Sequence, residues 1–324
     1  MFATIINKAI CQGIPLLYGS TGEILTEKSG NLNLGIPGIM YMGGSCGIIA
    51  AYLYERAAQT PVPALCIIIP LLASIIGSAL AALIYAFLTI SLRANQNVTG
   101  LALTTFGVGF GDFFGGSLTK IVAGGGNISV KLTADYYKTT LPFAKSTGAF
   151  GTIFFSYGFL AYLAVIIALI AAWYLKKTRS GLHLRAVGEN PATADAAGIN
   201  VTKYKYLATV IGGAIAGLGG LYFILDYTGG SWTNGGFGDR GWLSIALVIF
   251  ALWRPNIGIL GSFLFGGLYI AYSYISGLSR SSVAIFNMLP YVVTIIVLIL
   301  TSVRNKKENQ PPASLGLPYF REDR

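Results

Sequence analysis

The stretch PALCIIIPLLASIIGSALAALIYAFLTISL, residues 63–92, contains no charged side chain and is long enough to cross a lipid bilayer. About 20 consecutive apolar residues suffice for a helix to span the hydrocarbon core. Of the 324 residues in the chain, 54% are hydrophobic and only 10% are charged, whereas soluble domains carry about 25% charged residues. These properties predict a membrane protein. Further charge-free stretches are 94–111, 146–175, 206–225, 255–279 and 281–303.

Long apolar runs indicate helices, because the strands of a membrane β-barrel are short and alternate in polarity. We therefore predict an all-α, polytopic membrane protein with about eight to ten transmembrane helices. Segment 241–253 is too short to cross the bilayer unaided, so broken or half-spanning segments belong to this prediction. The expected segments are 4–21, 36–54, 64–92, 98–117, 149–175, 205–227, 241–253, 257–275 and 284–303.

The distribution of positive charge predicts the topology. Half of the 22 Lys and Arg residues lie in or beside the loop at 176–204 or in the tail at 304–324. Cytoplasmic loops are enriched in Lys and Arg, so we assign both segments to the cytoplasm and residues 1–303 to one transmembrane domain. The lysines at 118–148, which this assignment places outside, argue against it there. The N-terminus lies outside with nine segments and inside with ten, and both alternatives stand.

Two stretches rich in Gly and Asn interrupt the apolar pattern: NLNLGIPGIMYMGG at 31–44 and TGGSWTNGGFGDRG at 228–241. Irregular backbone persists at membrane depth only where protein or a water-filled cavity supplies hydrogen-bond partners, and interrupted segments mark the pathway of many transporters. The predicted pathway residues are Asn31, Asn33, Asn97, Thr99, Asp226 and Trp232. The alternatives are a structural hinge for the first two, loop positions for the next two, and a membrane boundary for Asp226.

Catalytic and metal-binding signatures are missing from the sequence. It has one histidine, His183, and no Walker A motif, and its cysteines, Cys11, Cys46 and Cys66, lack metal-ligand spacing. We therefore predict a non-catalytic protein with no metal and no cofactor of its own. The net charge of +10 is accounted for by basic cytoplasmic loops, so no nucleic-acid partner is expected.

The cytoplasmic loop contains ENPATADAAGIN, residues 189–200, which predicts a short helix. Asn190 is a suitable N-cap, Pro191 suits the first helical position, and Gly198 suits the C-terminal end. A helix of small residues can approach another protein closely, so we expect it to dock in a groove of a partner. The alternative, a helix lying on lipid, requires bulky apolar residues that this segment lacks.

Four blocks resemble a known family: GEILTEKSGNLNLGIPGIM (22–40), RSGLHLRAVGENPATADAAGIN (179–200), GGAIAGLGG (212–220) and GWLSIALVIFALWRP (241–255). They resemble the inner-membrane permeases of ABC importers, within the branched-chain amino acid/ribose permease superfamily. The tail PPASLGLPYFRE (311–322) is similar to the nucleoside and simple-sugar branch.

The resemblance implies a permease subunit in the cytoplasmic membrane that moves solute by alternating access. Its partners would be a cytoplasmic ATPase that consumes ATP, a substrate-binding protein outside, and a second permease subunit, different or identical. The family's early signature would include Glu23, Glu27, Asn31, Asn33 and Gly35. The helix that couples the permease to the ATPase would comprise Glu189, Asn190, Pro191, Ala192, Thr193, Ala194, Ala197 and Gly198.

The implied substrates are nucleosides first, simple sugars second and branched-chain amino acids third. Two other functions compete with an importer permease. A stand-alone secondary carrier or channel for small polar solutes would need no ATPase. A membrane-embedded enzyme would need a catalytic constellation, which the sequence does not provide.

Overall fold

The computed structural model describes residues 2–117, 128–142, 144, 148–275, 280–304 and 310–321. The only β pairing among them is an isolated bridge between Ser129 and Ser231. The described helices are α1 (Phe2–Glu27), α2 (Ile36–Ala57), α3 (Pro63–Ala86), α4 (Gln96–Gly111), α5 (Lys131–Tyr137), α6 (Gly148–Phe154), α7 (Phe159–Lys177), α8 (Arg179–Glu189), α9 (Pro191–Ala196), α10 (Val201–Tyr222), α11 (Arg240–Phe250), α12 (Pro255–Ile270) and α13 (Arg280–Arg304).

Three long helices end in wider π-helical turns, in which the backbone hydrogen bonds join residues five apart rather than four. These turns are Phe87–Ser91 after α3, Asp112–Ser117 after α4 and Phe223–Tyr227 after α10. In the described part of the chain, six helices are long and apolar enough to cross a membrane, which confirms the predicted all-α, polytopic class. They are Ile36–Ala57, Pro63–Ser91, Phe159–Lys177, Val201–Tyr227, Pro255–Tyr274 and Ser282–Leu300.

Two predicted segments differ from the structure. The expected span at 149–175 is divided, because α6 ends at Phe154 and α7 begins only at Phe159, after Gly158 in an extended conformation. The first helix extends to Glu27 rather than ending near residue 21. Its last turns carry carboxylates that are buried inside the protein, so hydropathy alone underestimated its length. Helix α11, with 11 residues, is the short element expected at 241–253.

Glycines let the central helices α2 and α10 approach each other closely. A Cβ at Gly43 would lie 2.5 Å from the Cα of Gly217, a contact that cannot be relieved by turning a side chain. The hydroxyl of Ser74 on α3 donates to the carbonyl of Gly217 at 3.2 Å. Small residues thus bring backbones together, which is how helices associate in a membrane where the hydrophobic effect contributes little.

We expect Gly43→Ala to destabilise the folded protein by about 1–3 kcal/mol, the usual cost of overpacking a tight core. The physical reason is that the added methyl group meets backbone atoms of α10. Thermal unfolding in detergent measures the effect. The matched control is Gly109→Ala on α4, where a Cβ meets no atom within 4 Å. Equal melting temperatures for the two variants would contradict the prediction.

The two ends of the bundle carry different loops. At one end, a Cβ at Gly188 would lie 3.2 Å from the amide nitrogen of Gly30, so the basic loop meets the segment after α1. At the other end, the carboxylate of Glu55 accepts from the backbone N–H of Thr133 at 2.8 Å. The described part of 118–148 therefore lies opposite the basic loop, as the charge-based topology requires.

The start of α1 lies at the same end as α6, because the side-chain amide of Asn7 donates to the carbonyl of Thr152 at 2.9 Å. Helix α7 then leads from α6 to the basic loop. The N-terminus is thus at the end opposite to that loop. This arrangement agrees with the nine-segment alternative, in which the N-terminus lies outside.

Candidate functional site

A cavity of about 210 Å³ lies between α2, the end of α10 and the loop at 228–239. Its lining combines aromatic rings with neutral hydroxyl groups and, among the described residues, includes no charged side chain. The lining residues are Met40, Tyr41, Gly220, Phe223, Ile224, Thr228, Ser231, Trp232, Thr233, Gly236 and Phe237. The cavity therefore suits a neutral solute with a flat face and several hydrogen-bonding groups.

Tyr41 connects the aromatic side chains around the cavity. Its ring meets Trp232 edge to face at a centroid distance of 5.3 Å and Phe237 at 6.3 Å. Its phenol donates to the carboxylate of Asp112 and accepts from the backbone N–H of Gly235 at 2.9 Å. One side chain thus links α2, the end of α4 and the loop at the mouth of the cavity.

Trp232 is held from both sides, which fixes the orientation of its ring. Its indole N–H donates to Asn234 at 2.8 Å, and its backbone N–H donates to the carbonyl of Ile128 at 3.0 Å. Glycines in the π-helical turn of α4 make room for the indole: a Cβ at Gly115 would lie 2.6 Å from its Cδ2 atom. A larger residue at that position would displace the tryptophan.

Arg240 begins α11 and is 7% exposed. Its guanidinium donates to the carbonyl of Phe237 at 2.8 Å. It also lies 4.3 Å from the ring centroid of Phe223 and 5.2 Å from that of Tyr269. Aromatic faces and carbonyl oxygens stabilise a desolvated cation. Because Phe223 and Phe237 both line the cavity, Arg240 fixes its wall from behind.

Gln12 on α1 is the side-chain partner of Arg240. With the amide oriented to satisfy its neighbours, the oxygen of Gln12 accepts from Nη2 at 3.0 Å and from Nε at 3.2 Å, while the nitrogen donates to the phenol of Tyr227 at 3.1 Å. The bidentate contact uses the planar fork that only arginine provides. The half-length helix α11 is thereby attached to α1.

The predicted pathway residues occupy four different environments. Trp232 lines the cavity. Asn31 and Asn33 are fully buried outside the cavity lining. Asn97 is exposed and Thr99 is partly exposed in the first turn of α4. Asp226 is partly exposed at the end of α10, where a Cβ at Gly158 would come within 3.2 Å of its carboxyl carbon.

Asn31 and Asn33 belong to a buried polar cluster near the basic end of the bundle. The side-chain amide of Asn31 donates to the hydroxyl of Thr209 at 3.2 Å. The backbone N–H of Asn33 donates to the carboxylate of Glu23 at 2.9 Å, and its side-chain oxygen accepts from the N–H of Gly35 at 2.9 Å. The cluster supplies the hydrogen bonds that the irregular backbone between α1 and α2 needs inside a membrane protein.

Glu27 ties the same cluster to the turn after α11. The indole N–H of Trp253 donates to its carboxylate. Both Leu252 and Trp253 have a φ of 54°, a left-handed conformation that is unfavourable for bulky residues. The hydrogen bond from Trp253 to Glu27 helps to hold this strained turn, which Arg254 follows in the chain.

Helix α9 has the predicted caps. Asn190 Oδ1 accepts from the N–H of Thr193 at 3.0 Å, and Pro191 begins the helix. Gly198 has a φ of +81°, and the N–H groups of Gly198 and Ile199 bond to the carbonyls of Asp195 and Ala194. This is the double-bonded termination that a glycine C-cap permits.

The two faces of α9 differ. Ala194 is 3% exposed and packs with Val187 and Val201. The opposite face is exposed and consists of small residues: Ala192, Thr193, Ala196 and Ala197, with Glu189, Asn190 and Gly198 also exposed beside it. A partner can therefore contact the alanine face directly, whereas Ala194 anchors the helix to the protein.

Lys28 follows α1 beside this region. Burial lowers the pKa of its ammonium group from the ordinary value, and the carboxylate of Glu189 partly offsets this effect. The carbonyl of Lys28 also lies against Gly188, since a Cβ there would come within 3.0 Å of the carbonyl carbon. The segment after α1 and the end of α8 thus form one surface.

Several residues of the site were not predicted from the sequence. Tyr41, Phe223 and Phe237 are three of many aromatic residues in an apolar chain, and nothing in their spacing distinguishes them. Arg240 lies in a Gly-rich stretch that is typical of a loop. Its position just before the short apolar segment at 241–253 was the one available signal, because a half-length helix can begin inside the membrane.

Comparison with known proteins identifies similar chains over nearly the whole length. A profile of the family described as "Branched-chain amino acid transport system / permease component" matches residues 5–298. The guanosine ABC transporter permease protein NupQ of Bacillus subtilis (strain 168) is 32% identical, with 100% of this chain and 98% of the relative aligned.

Two further relatives are similar. The nucleoside ABC transporter permease protein NupC of Lactococcus lactis subsp. cremoris (strain MG1363) is 32% identical over 91% of both chains. The putative glucose ABC transporter permease protein TsgC13 of Haloferax volcanii is 34% identical over 82% of this chain and 75% of the relative. No solved structure matches the chain.

Proposed function

Since the chain belongs to this family of transport-system permeases, we propose that it is the permease of an ATP-driven importer for nucleosides. It is a multi-pass protein of the cytoplasmic membrane. Its own work is to open a path alternately to each side. Hydrolysis of ATP takes place on a separate subunit, and the chain itself performs no chemistry on the solute.

The aromatic cavity is the main support for nucleosides as the substrate class. Tyr41 and Trp232 offer faces or edges to a planar base, and base–aromatic stacking contributes about 1–3 kcal/mol per base. Thr228, Ser231 and Thr233 offer neutral hydroxyls for the groups of a ribose. A free amino acid would require partners for a carboxylate and an ammonium group, which the described lining lacks. Two of the relatives are named for guanosine and for nucleosides.

A simple sugar is the second candidate substrate, because one relative is named as a putative glucose permease. Flat aromatic faces and hydroxyl groups also suit a sugar ring. The difference between the candidates lies in the size of the flat face: a nucleoside uses the Trp232 ring for its base, whereas a hexose has no aromatic system to stack.

The partners follow from the exposed face of α9, which we assign as the coupling helix. Its alanines and Thr193 would enter a groove of a cytoplasmic ATPase, whose closure on ATP would displace the helix. A substrate-binding protein would deliver solute at the opposite end, where the loop at 228–239 lies. A second permease subunit, different or identical, would complete the path.

The test is uptake of radiolabelled guanosine by the intact transporter in proteoliposomes, with other nucleosides, glucose and leucine as competitors. We expect ATP-dependent uptake that other nucleosides inhibit and leucine does not. Uptake of radiolabelled glucose in place of guanosine would assign the sugar class. Full-rate uptake down a gradient without ATPase and ATP would contradict the importer and favour the stand-alone carrier.

Trp232→Ala should lower guanosine uptake about tenfold, corresponding to the loss of roughly 1.4 kcal/mol of stacking. Trp232→Phe keeps an aromatic face and should retain most of the uptake. The matched control is Trp173→Ala, since Trp173 on α7 is 60% exposed and lies away from the cavity. An alanine variant at position 232 with wild-type uptake would remove the cavity from the pathway.

A further inference from the structure

The C-terminal segment at 310–321 lies across the end of the bundle that carries α9. Ser314, which is 7% exposed, donates to the carbonyl of Gly188 from its backbone N–H at 3.0 Å and from its hydroxyl at 2.6 Å. The N–H of Gly316 donates to the carbonyl of Gly30 at 3.3 Å. The segment thus bridges the end of α8 and the residues after α1.

The last residues of the segment contact α9 itself. The phenol of Tyr319 donates to Oδ2 of Asp195 at 2.9 Å, and Nε of Arg321 lies 3.1 Å from the same oxygen. The side chain of Asp195 is only 14% exposed, so two donors converge on a largely buried carboxylate. The guanidinium of Arg93, in the linker between α3 and α4, lies 4.4 Å from the ring centroid of Phe320.

The residues after α1 are in turn bound to the transmembrane helices. The N–H of Leu32 donates to the side chain of Gln96 at 2.7 Å, and its carbonyl accepts from the phenol of Tyr85. Glu23 accepts from the N–H of Asn33 at 2.9 Å. A continuous set of bonds therefore connects α9, the C-terminal segment and helices α1, α3 and α4.

Helix α9 has only six residues, and so short a helix is marginal unless tertiary contacts hold it. Ala194 holds α9 to the neighbouring ends of α8 and α10, through Val187 and Val201. The contacts to Asp195 add an attachment to the C-terminal segment. A displacement of α9 must then move the residues after α1 together with it.

We propose that the C-terminal segment is a strap that positions α9 and carries its displacement to the residues at 28–35. This proposal rests on the proposed role of α9 as the coupling helix. Tyr319 and Arg321 act through Asp195 and are positioning residues. The strap is separate from the docking face, because Ala192 and Ala197 point away from it into solvent.

The experiment compares the intact transporter with one whose permease ends at residue 309. Three quantities are measured in proteoliposomes: ATPase retained on the permease, ATP hydrolysed, and solute taken up per ATP. We expect the truncated chain to retain the ATPase, because the exposed face of α9 is intact, while uptake per ATP falls at least fivefold. The control Leu317→Ala, at a side chain that is 59% exposed, should leave all three quantities unchanged.

Charge reversal distinguishes a positioning role of Arg321 from a general loss of stability. It tests the proposal even if the truncated chain does not fold. Asp195→Arg and Arg321→Asp should each lower uptake per ATP, and the double variant should restore it. Wild-type uptake per ATP in the truncated chain, or a double reversal that does not restore uptake, would overturn the proposed role of the strap and leave the proposed function intact. A wild-type permease that binds no ATPase would overturn the proposed function and the strap with it.

Discussion

Replacing Ala192 and Ala197 together by arginine is expected to abolish ATP-driven uptake, with a loss of at least a hundredfold, while the protein still folds in the membrane. Both alanines are exposed, Ala192 on α9 and Ala197 at its C-cap, so neither arginine disturbs the core of the protein. Two long, charged side chains would keep α9 out of a groove shaped for methyl groups, and would be desolvated without a partner if they entered it. Co-purification of the ATPase and solute uptake measure the effect.

Position 194 is unsuitable for this test, although it belongs to the same predicted helix. Ala194 is buried against Val187 and Val201, and an arginine there would unfold the local structure whatever the partner. The matched control is Ala57→Arg, an exposed alanine at the opposite end of the bundle. If the double arginine variant retains the ATPase and wild-type uptake, the coupling role of α9 is wrong.

Arg240→Leu is expected to destabilise the folded protein by about 3–5 kcal/mol and to eliminate uptake. The substitution leaves the carbonyl of Phe237 and the side chain of Gln12 without their donor, at about 1–3 kcal/mol for each buried group. It also removes a desolvated cation from the faces of Phe223 and Tyr269, each such contact being worth up to about 2 kcal/mol. Because Phe223 and Phe237 line the cavity, its wall should loosen as well. Thermal unfolding in detergent and uptake are the measurements.

The stability and uptake of Arg240→Lys should lie between those of the wild type and Arg240→Leu. Lysine keeps the charge but cannot form the bidentate contact with Gln12. Arg56→Leu is the matched control: its guanidinium also lies over a tyrosine ring, that of Tyr52 at 5.6 Å, but it is exposed. Its removal should change stability by about 0.5 kcal/mol or less. Equal losses of stability in Arg240→Leu and Arg56→Leu would show that the buried contacts of Arg240 contribute nothing to the stability of the fold.

The class of protein and the caps of α9 are determined by local features of the sequence. Membrane-spanning helices are determined by composition over about 20 residues, because lipid accepts only apolar surface with internally bonded backbone. The caps at Asn190 and Gly198 are equally local, since each depends on a side chain or a φ value at one position. The resemblance to importer permeases was confirmed by comparison over almost the entire chain.

The limits of the sequence are visible in Asn31, Ala194 and Arg240. Asn31 lies in a buried cluster in which one hydrogen-bond partner, Thr209, is far away in sequence, and its role in the pathway stays a prediction. Ala194 and Ala197 have the same side chain three residues apart, yet one is buried and the other exposed. Arg240 lies in a Gly-rich sequence that is typical of a loop, yet its guanidinium is enclosed by aromatic rings.

The sequence by itself determined that the chain forms apolar helices, where its basic loops lie and how α9 begins and ends, because each of these depends on residues close together in the chain. Only the tertiary structure decided which aromatic rings surround a cavity, which face of α9 is free and where the C-terminal segment rests. Those features arise from contacts between residues far apart in sequence, such as Tyr41 with Trp232 and Asp195 with Tyr319. Such pairs leave no periodic pattern, because their separation is set by how the helices pack.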